Sequence, residues 1–359
     1  MYKFKESSIT IYQHKRVPKV TQNNKKAIII LISLTCLILC FGTSVGSSNT
    51  SIKDILSIIG YKIFSISLPK GINNNDVAII WNLRLPRVLL AFIVGSSLAV
   101  SGAVVQSVLK NPLASPYTLG VSSGASLGVG LLIVSGFSIP FIGKLTMPIV
   151  GFFCGIITVF VVVKFSSTVD KGISNTTIIL SGMVFSLFFN AILTTITALY
   201  SEDIKSIILW QMGSFSMKGW SYVKIGVPFF IIGIIGVILY CKEMDILSFG
   251  EEQAKSVGVD TGTIKRRLLI FSAILTGSAV ALSGTIGFVD LIIPHLVRRI
   301  FGAKHRDVIP ICIIFGGCFM VITDLVARTI IVPSELPVGA ITALIGAPFF
   351  AYIYFKKSK

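Results

Sequence analysis

The sequence has few charged residues and lacks the P-loop motif of nucleotide-hydrolysing enzymes and the zinc-binding motif of metalloproteases. Only 13% of its 359 residues are Asp, Glu, Lys or Arg, whereas 53% are hydrophobic and the mean hydropathy is +0.87. A soluble protein of this length could not bury so much apolar surface. The motifs GxxxxGK[ST] and HExxH are absent, and there are three histidines. No catalytic constellation is therefore expected, and if the protein uses ATP, another chain must hydrolyse it.

Cysteine chemistry is also poorly represented, since no CxxC pair occurs among the six cysteines. All six lie in or beside apolar runs, where a thiol behaves as a small hydrophobic side chain. Cys36 and Cys40 share a helix face, but two thiols without a histidine or a carboxylate make a poor metal site. We expect neither a metal site nor a cofactor.

Positive charge is abundant and lies mostly between the apolar runs. The net charge is +17, from 32 Lys and Arg against 15 Asp and Glu. This arrangement indicates membrane topology, and nucleic acid is not an expected partner. Residues 1–26 are too basic and too long for a signal peptide, and no A-x-A-like site follows them. They are interpreted as a cytoplasmic tail, and residues 27–359 as a single transmembrane domain.

Apolar runs close to twenty residues predict an all-α protein with about ten transmembrane helices. Hydropathy places nine spans near 27–46, 87–107, 117–137, 146–165, 175–199, 221–241, 267–284, 307–328 and 337–355. The basic stretches 242–267 and 298–306 and the carboxyl tail are assigned to the cytoplasm. The chain must then cross twice between the first two stretches, which predicts a short tenth crossing at 286–301. Both termini are expected in the cytoplasm.

Two short segments of similar sequence indicate an internal repeat. AVSG at 99–102 and ALSG at 281–284 are followed at the same spacing by Pro112 and Pro294. The first copy runs inward and the second begins at the outer side. Opposite directions are typical of inverted-topology repeats, on which many transporters are built.

The stretch KNPLASPYTLGVSSGASLG, residues 110–128, interrupts the apolar pattern with two prolines. It is predicted to be a cytoplasmic elbow between spans two and three. Gly120, Gly124 and Gly128 recur every four residues, which favours close packing of the third span against another helix.

A polar stripe marks one face of the fifth span, and it carries no charge. Such a stripe lines either a water-filled path or a seam between helices, and the sequence leaves both open. An uncharged path would suit a large solute better than a tightly bound ion. The stripe consists of Gly182, Ser186, Asn190, Thr194 and Thr197.

Charged residues within or beside the spans are few. Arg84 and Arg87 lie at the outer mouth of span two, and Arg328 lies four residues after Asp324, close enough to pair with it. These arginines either snorkel to the interface or present bidentate targets to an acidic partner. Asp290 stands alone in the short crossing.

The loop 242–267 contains ILSFGEEQAKSVG, which predicts a short amphipathic helix closed by Gly258. A simple connection would not require a helix. The segment is either plain surface or a docking element for another protein.

Several motifs, in order, resemble the FecCD-type permeases of ABC importers for iron–siderophore, haem and cobalamin. The likeness runs from about Trp81 to Phe355. The motifs are LRLPRVLLAFIVGSSLAVSGAVVQSVLKNPLASPYTLGVSSGASLG, WQMGSFSMKGW, LSFGEEQAKSVGV, SGTIGFVDLIIPH, AKHRDVIP, TDLVAR and ELPVGAITALIGAPFF. One departure is Asp290, where the family usually has glycine.

The resemblance implies the type II ABC importer permease fold in a bacterial plasma membrane. Expected partners are a second permease subunit (a copy or a sister chain), two cytoplasmic ATPases, and an outside binding protein that delivers an iron complex, most often a ferric siderophore. It further implies roles for three groups of residues. These are Arg84, Arg87 and Arg328 for binding-protein docking; Glu251, Glu252, Ala254 and Gly258 for ATPase coupling; and Asn111, Leu113, Asn175 and Thr176 for the cytoplasmic gate. A proton-coupled secondary transporter using Asp290 and Asp324 is the alternative from another class.

Overall fold

The computed structural model describes residues 24–46, 51–69, 71–140, 142–170 and 174–356, and the secondary structure there is helical. Residues 1–23 of the predicted tail and 357–359 lie outside this range. In chain order the helices are α1 (Asn24–Ser44), α2 (Ile52–Phe64), α3 (Asn74–Ala78), α4 (Leu85–Val108), α5 (Val121–Ser135), α6 (Thr146–Val169), α7 (Asn175–Leu199), α8 (Ile204–Gln211), α9 (Trp220–Leu239), α10 (Cys241–Phe249), α11 (Glu251–Ser256), α12 (Thr261–Ser283), α13 (Val289–Phe301), α14 (His305–Thr329) and α15 (Val338–Lys356). The all-α prediction is confirmed for this part of the chain.

Each predicted span coincides with a helix. Six helical stretches in the described residues are long and apolar enough to cross a membrane: Asn74–Val108, Gly143–Val169, Asn175–Leu199, Trp220–Leu239, Thr261–Ser283 and His305–Thr329. Three shorter apolar helices occupy Ile30–Ser44, Val121–Ser135 and Val338–Tyr352. The segment predicted as a short tenth crossing forms α13, which is 13 residues long and is not among these nine apolar helices, so the crossing itself remains a prediction.

Helix α4 forms the centre of the bundle and packs against α12, α13 and α14. Small residues permit the close approach that lipid-embedded helices require, since no hydrophobic effect drives them together there. A Cβ atom on Gly95 would lie 2.2 Å from the carbonyl oxygen of Gly316, and one on Gly102 would lie 1.9 Å from that of Asp290. Buried hydroxyls add polar contacts, with the Oγ atoms of Ser101 and Ser272 2.6 Å apart.

The helix that contains span two begins earlier than hydropathy predicted. It starts at Asn74 with α3, continues through a π-helical segment at Ile79–Arg84, and runs on into α4. Pro86 lacks the N–H that would continue the α-helical ladder, and the π-helical turn falls immediately before it. The outer arginines therefore lie well inside a long helix and not at its start.

The expected glycine seam forms between α5 and α6. A Cβ atom on Gly124 would lie 1.9 Å from Thr158 Oγ1, and one on Gly128 would lie 2.4 Å from Cys154 Sγ. Gly120 differs from the other two because it precedes α5. It ends a short 3-10 turn with φ of +84°, a conformation that favours glycine.

The loop 242–267 holds two short helices where the sequence predicted one. Gly250, with φ of +141°, separates α10 from α11, because few other residues adopt that conformation. Gly258 follows α11 with φ of +86°, as expected for a glycine that closes a helix. Helix α12 begins at Thr261, where Asp260 caps it by accepting a hydrogen bond from the Thr263 N–H at 3.1 Å.

Candidate functional site

Two of the three predicted docking arginines contact the carboxyl end of α1. Arg84 donates from Nη1 to the carbonyl oxygen of Ser44 at 2.9 Å, and Arg328 donates from Nη2 to that of Gly42. The last carbonyls of a helix lack partners within the helix and carry the negative end of its dipole, so guanidinium groups satisfy them well. Arg84 is only 6% exposed.

The third arginine, Arg87, is held by two carboxylates. Its Nε and Nη2 atoms donate to Asp324 at 2.9–3.1 Å, and its Nη1 donates to Glu335 Oε1 at 2.8 Å. The expected partner of Asp324, Arg328, is more distant, with its Nε 3.9 Å from Asp324 Oδ2. The three arginines thus lie in one cluster, where each has partners within the chain, and their role in docking remains a prediction.

Glu335 is the exposed member of this cluster. Burial alone would raise its pKa, but hydrogen bonds from Arg87 and the positive charges of Arg87 and Arg328 hold the pKa of Glu335 below its usual value. It therefore stays ionised at neutral pH and covers the outer side of Arg87.

The polar stripe of α7 divides into two halves. Its inner half is a seam, since a Cβ atom on Gly182 would lie 2.2 Å from the carbonyl oxygen of Thr118. Its outer half, Asn190, Thr194 and Thr197, lines a cleft of about 470 Å3 together with residues of α8, among them Gln211. The seam is therefore observed for one end of the helix, and the water-filled path remains a prediction for the other end, which lines the cleft.

The predicted elbow is a tight, internally bonded turn. Asn111 accepts a hydrogen bond on Oδ1 from the Leu113 N–H at 2.9 Å, and the leucine side chain is exposed. Thr176 is also exposed. No hydrogen bond between described residues joins Asn111 to Asn175, so the two halves of the predicted gate are not linked directly.

Asn175 is instead connected to the predicted coupling helix through a lysine. Lys265 of α12 donates from Nζ to Asn175 Oδ1 at 2.8 Å and forms an ion pair with Glu251 of α11. Lys265 is 1% exposed. A buried ammonium group is stable only when paired, so these two contacts fix the relative positions of α7, α11 and α12.

The other predicted coupling residues divide between the surface and the interior. Glu252 and Gly258 are exposed, whereas Ala254 is fully buried and cannot contact another protein in this conformation. Two apolar side chains are also exposed here: Phe249 at the end of α10 is 79% exposed, and Val257, just after α11, is 68% exposed. These two side chains were not among the predicted coupling residues.

A second polar link joins α10 to the bundle. Asp245 accepts hydrogen bonds from the backbone N–H of His305 at 2.9 Å, and its Oδ1 lies 2.6 Å from the Nδ1 of that ring. The other ring nitrogen contacts Ser107 Oγ at the end of α4, and Arg298 donates to the same oxygen at 2.9 Å. Lys265 and Arg298 were missed because a sequence shows them only as cytoplasmic cations.

Asp290, the departure from the family pattern, is buried at the start of α13. Its Oδ2 accepts a hydrogen bond from Ser115 in the elbow, and its Oδ1 has no partner among the described residues. No arginine pairs with it there. In the part of the chain that the structure describes, no group of three His, Cys, Asp or Glu residues could hold a metal ion.

The sequence pattern of the FecCD transport family matches residues 32–356. The chain belongs to the FecCD transport family. The match begins well before Trp81, so the first span and α2 are part of it, contrary to the narrower likeness inferred from the motifs. The chain is accordingly a permease of the metal-chelate, haem or cobalamin type of ABC importer, and a multi-pass membrane protein.

Relatives cover most of the chain. YvrB, an ABC transporter permease of Bacillus subtilis, is 41% identical over 95% of this chain and 96% of its own. The hemin permease HmuU of Yersinia pestis is 39% identical over 77% and 84%, and the ferric dicitrate permease FecD of Escherichia coli is 33% identical over the same shares. These relatives are transport permeases.

The fold is also that of known importers. A metal-chelate-type ABC transporter solved in an inward-facing conformation matches with a TM-score of 0.79 and 31% identity, over 92% of this chain and 99% of that one. The predicted type II importer permease fold is thus confirmed.

Proposed function

We propose that this chain is the permease subunit through which an ATP-driven importer moves an iron complex, with a ferric siderophore as the cargo. The family and the ferric dicitrate relative support an iron complex. Haem, as for the hemin relative, and cobalamin are the alternatives on the same machinery. The permease itself is not an enzyme; two separate cytoplasmic ATPase subunits supply the hydrolysis.

The observation that carries the proposal is the buried Lys265 link. It connects Glu251 on the helix proposed to contact the ATPase with Asn175 at the inner end of α7. Helix α7 also lines the 470 Å3 cleft, so one rigid element reaches from the coupling surface to the path. Movement of α11 by an ATPase would therefore be passed to α7 and would change the width of the path.

The assembly contains two permeases, either copies or sister chains. Helix α7 supports this, because it is poorly covered within the chain: only 22% of its most apolar stretch is buried. In a bacterial plasma membrane, with both termini in the cytoplasm, the elbow and α10–α11 face the ATPases. The arginine cluster then faces the outside, where the binding protein docks.

Docking requires an exchange of partners at Arg87. An acidic residue of the binding protein would replace Glu335 at Nη1, while Asp324 continues to hold the other side of the guanidinium group. Arg84 and Arg328 would contribute mainly by positioning the end of α1. Such contacts at a rim steer encounter and are weakened by salt.

The gate would be formed by the elbow of one subunit and the start of α7 of another. Asn111 and Leu113 contribute one side, and Asn175 and Thr176 the other. Cysteines introduced at positions 111 and 175 should crosslink between subunits in one nucleotide state more than in another. If the extent of crosslinking were the same in all nucleotide states, the elbow would be a simple turn and not part of a gate.

The function is tested by uptake into proteoliposomes that contain the permease, its ATPase and its binding protein. Labelled ferric siderophore should accumulate only with ATP, and haem or cobalamin should accumulate less. A protonophore should have no effect. Uptake by the permease alone, driven by a proton gradient, would favour the secondary transporter that uses Asp290 and Asp324; the pairing of Asp324 with Arg87 speaks against it.

A further inference from the structure

A cleft of about 290 Å3 opens between α6 and α12. Each wall is a row of side chains that are spaced by about one helical turn, so each row runs parallel to the axis of its helix. One end is polar, with Lys164 and Ser167 on α6 and Arg266 on α12. The rest is apolar, formed chiefly by Ile156, Phe160, Ile270 and Ala273.

The two cations lie at the same depth. Lys164 is five residues before the end of α6 at Val169 (169 − 164), and Arg266 is five residues after the start of α12 at Thr261 (266 − 261). With a rise of 1.5 Å per residue, each lies about 8 Å from its helix end. The predicted topology places both ends at the cytoplasmic face, which sets these side chains at the level of lipid headgroups.

The apolar part of the cleft continues from the cations towards the middle of the membrane. From Lys164 to Ile156 the helix advances eight residues, or about 12 Å. Phe160 and Ile270 are 63% and 41% exposed, so the groove is open on its outer side and not sealed within the bundle. The shape therefore provides a polar end and an apolar channel in line with it.

The polar end carries net positive charge. Lys164 and Arg266 are both exposed, and in the described residues neither forms an ion pair. No acidic side chain lines the cleft. The Ser167 hydroxyl donates to the carbonyl oxygen of Lys164 at 2.7 Å and keeps lone pairs free. An anion between the two cations would complete the site.

We propose that this cleft binds one anionic phospholipid of the cytoplasmic leaflet. The phosphodiester lies between Lys164 and Arg266, and one acyl chain lies along Phe160 and Ile270. An arginine and a lysine can together donate hydrogen bonds to the oxygens of one phosphate group. Basic pockets between helices at the cytoplasmic side favour anionic headgroups. Cations that merely snorkel would not need an apolar groove aligned with them on both helices.

Occupancy of this site would bear on coupling. Arg266 is the neighbour of Lys265, which holds Glu251 and Asn175 on the other side of the same helical turn. A lipid held by Arg266 restrains that turn of α12. This consequence rests on the proposed function, whereas lipid binding depends only on the predicted orientation of the helices, so each can fail without the other.

The test is native mass spectrometry of the purified full-length chain in detergent, titrated with phosphatidylglycerol or phosphatidylcholine of identical acyl chains. The first tightly bound phosphatidylglycerol should show about a tenfold preference over phosphatidylcholine, and added salt should reduce this preference. The variant Lys164→Gln/Arg266→Gln should lose the preference. The control Arg299→Gln/Lys304→Gln removes two exposed cations outside the cleft and should keep it.

Several outcomes would overturn the proposal. These are equal binding of the two lipids, an unchanged preference in the cleft variant, or complete displacement by free glycerol phosphate. Melting in phosphatidylcholine checks that the variants are folded; if the double variant is not, Lys164→Met alone keeps the stem and should lower the preference severalfold. A Phe160→Cys chain that lacks the exposed Cys36 should form no disulfide-linked dimer under oxidation, since such a dimer would make this face a subunit interface.

Discussion

Replacing Lys265 with methionine removes the charge of the link between α11 and α7 and keeps most of the side-chain volume. In the native structure the ammonium group is buried and makes charge-assisted contacts with Glu251 and Asn175. Each such hydrogen bond contributes about 1.5–3 kcal/mol. Glu251 is 29% exposed and can be rehydrated after the change, so we take a net loss of about 2 kcal/mol.

A loss of this size corresponds to a factor of about thirty in an equilibrium. If the link transmits the movement of α11, the ratio of cargo imported to ATP hydrolysed should fall by about that factor in proteoliposomes. ATPase binding should remain, because the exposed surface of α11 is unchanged. Hydrolysis should continue, no longer coupled to transport.

Two variants make this result specific. Lys265→Arg retains the charge and should restore much of the coupling ratio, although the larger head group has to fit the same buried space. Lys255→Gln removes an exposed charge from α11 and should have little effect. A Lys265→Met complex that imports as much cargo per ATP as the wild type would refute the proposed route from α11 to α7.

The other predictions concern docking, packing and ATPase binding. Glu335→Gln should free Arg87 and remove a repelling charge, raising binding-protein affinity by about 1 kcal/mol, or fivefold, in low salt only; unchanged affinity by surface plasmon resonance would place docking elsewhere. Gly124→Ala should lower the melting temperature, since its Cβ would lie 1.9 Å from a side-chain oxygen and relief costs about 1–3 kcal/mol; Gly262→Ala, with its nearest atom at 3.6 Å, is the matched control. Glu252→Lys should weaken ATPase binding severalfold in a pull-down titration, and normal binding would show that this carboxylate does not face the ATPase.

The sequence by itself determined the class of protein and the positions of its long apolar helices. Low charge and long apolar runs leave few alternatives to a helical membrane protein, because a lipid environment requires every backbone group to bond within its own segment. Gly124 and Gly128 likewise predicted the close packing of α5 against α6, since only small residues allow two helices to approach so closely. The helix boundaries were predicted less accurately. Gly250 divides the predicted loop helix in two, and the π-helical segment joins α3 to α4, so that the helix of span two begins before its expected start.

Only the tertiary structure decided which charged groups meet. Arg87 and Asp324 are 237 residues apart in the chain, and Asn175 and Lys265 are 90 apart, so no local pattern predicts either contact. A buried charge must find a partner wherever the fold brings one, and in these cases the partner lies on a different helix. For the same reason the sequence could not divide the stripe of α7 into a seam and a cleft, because its residues are alike and only their neighbours differ.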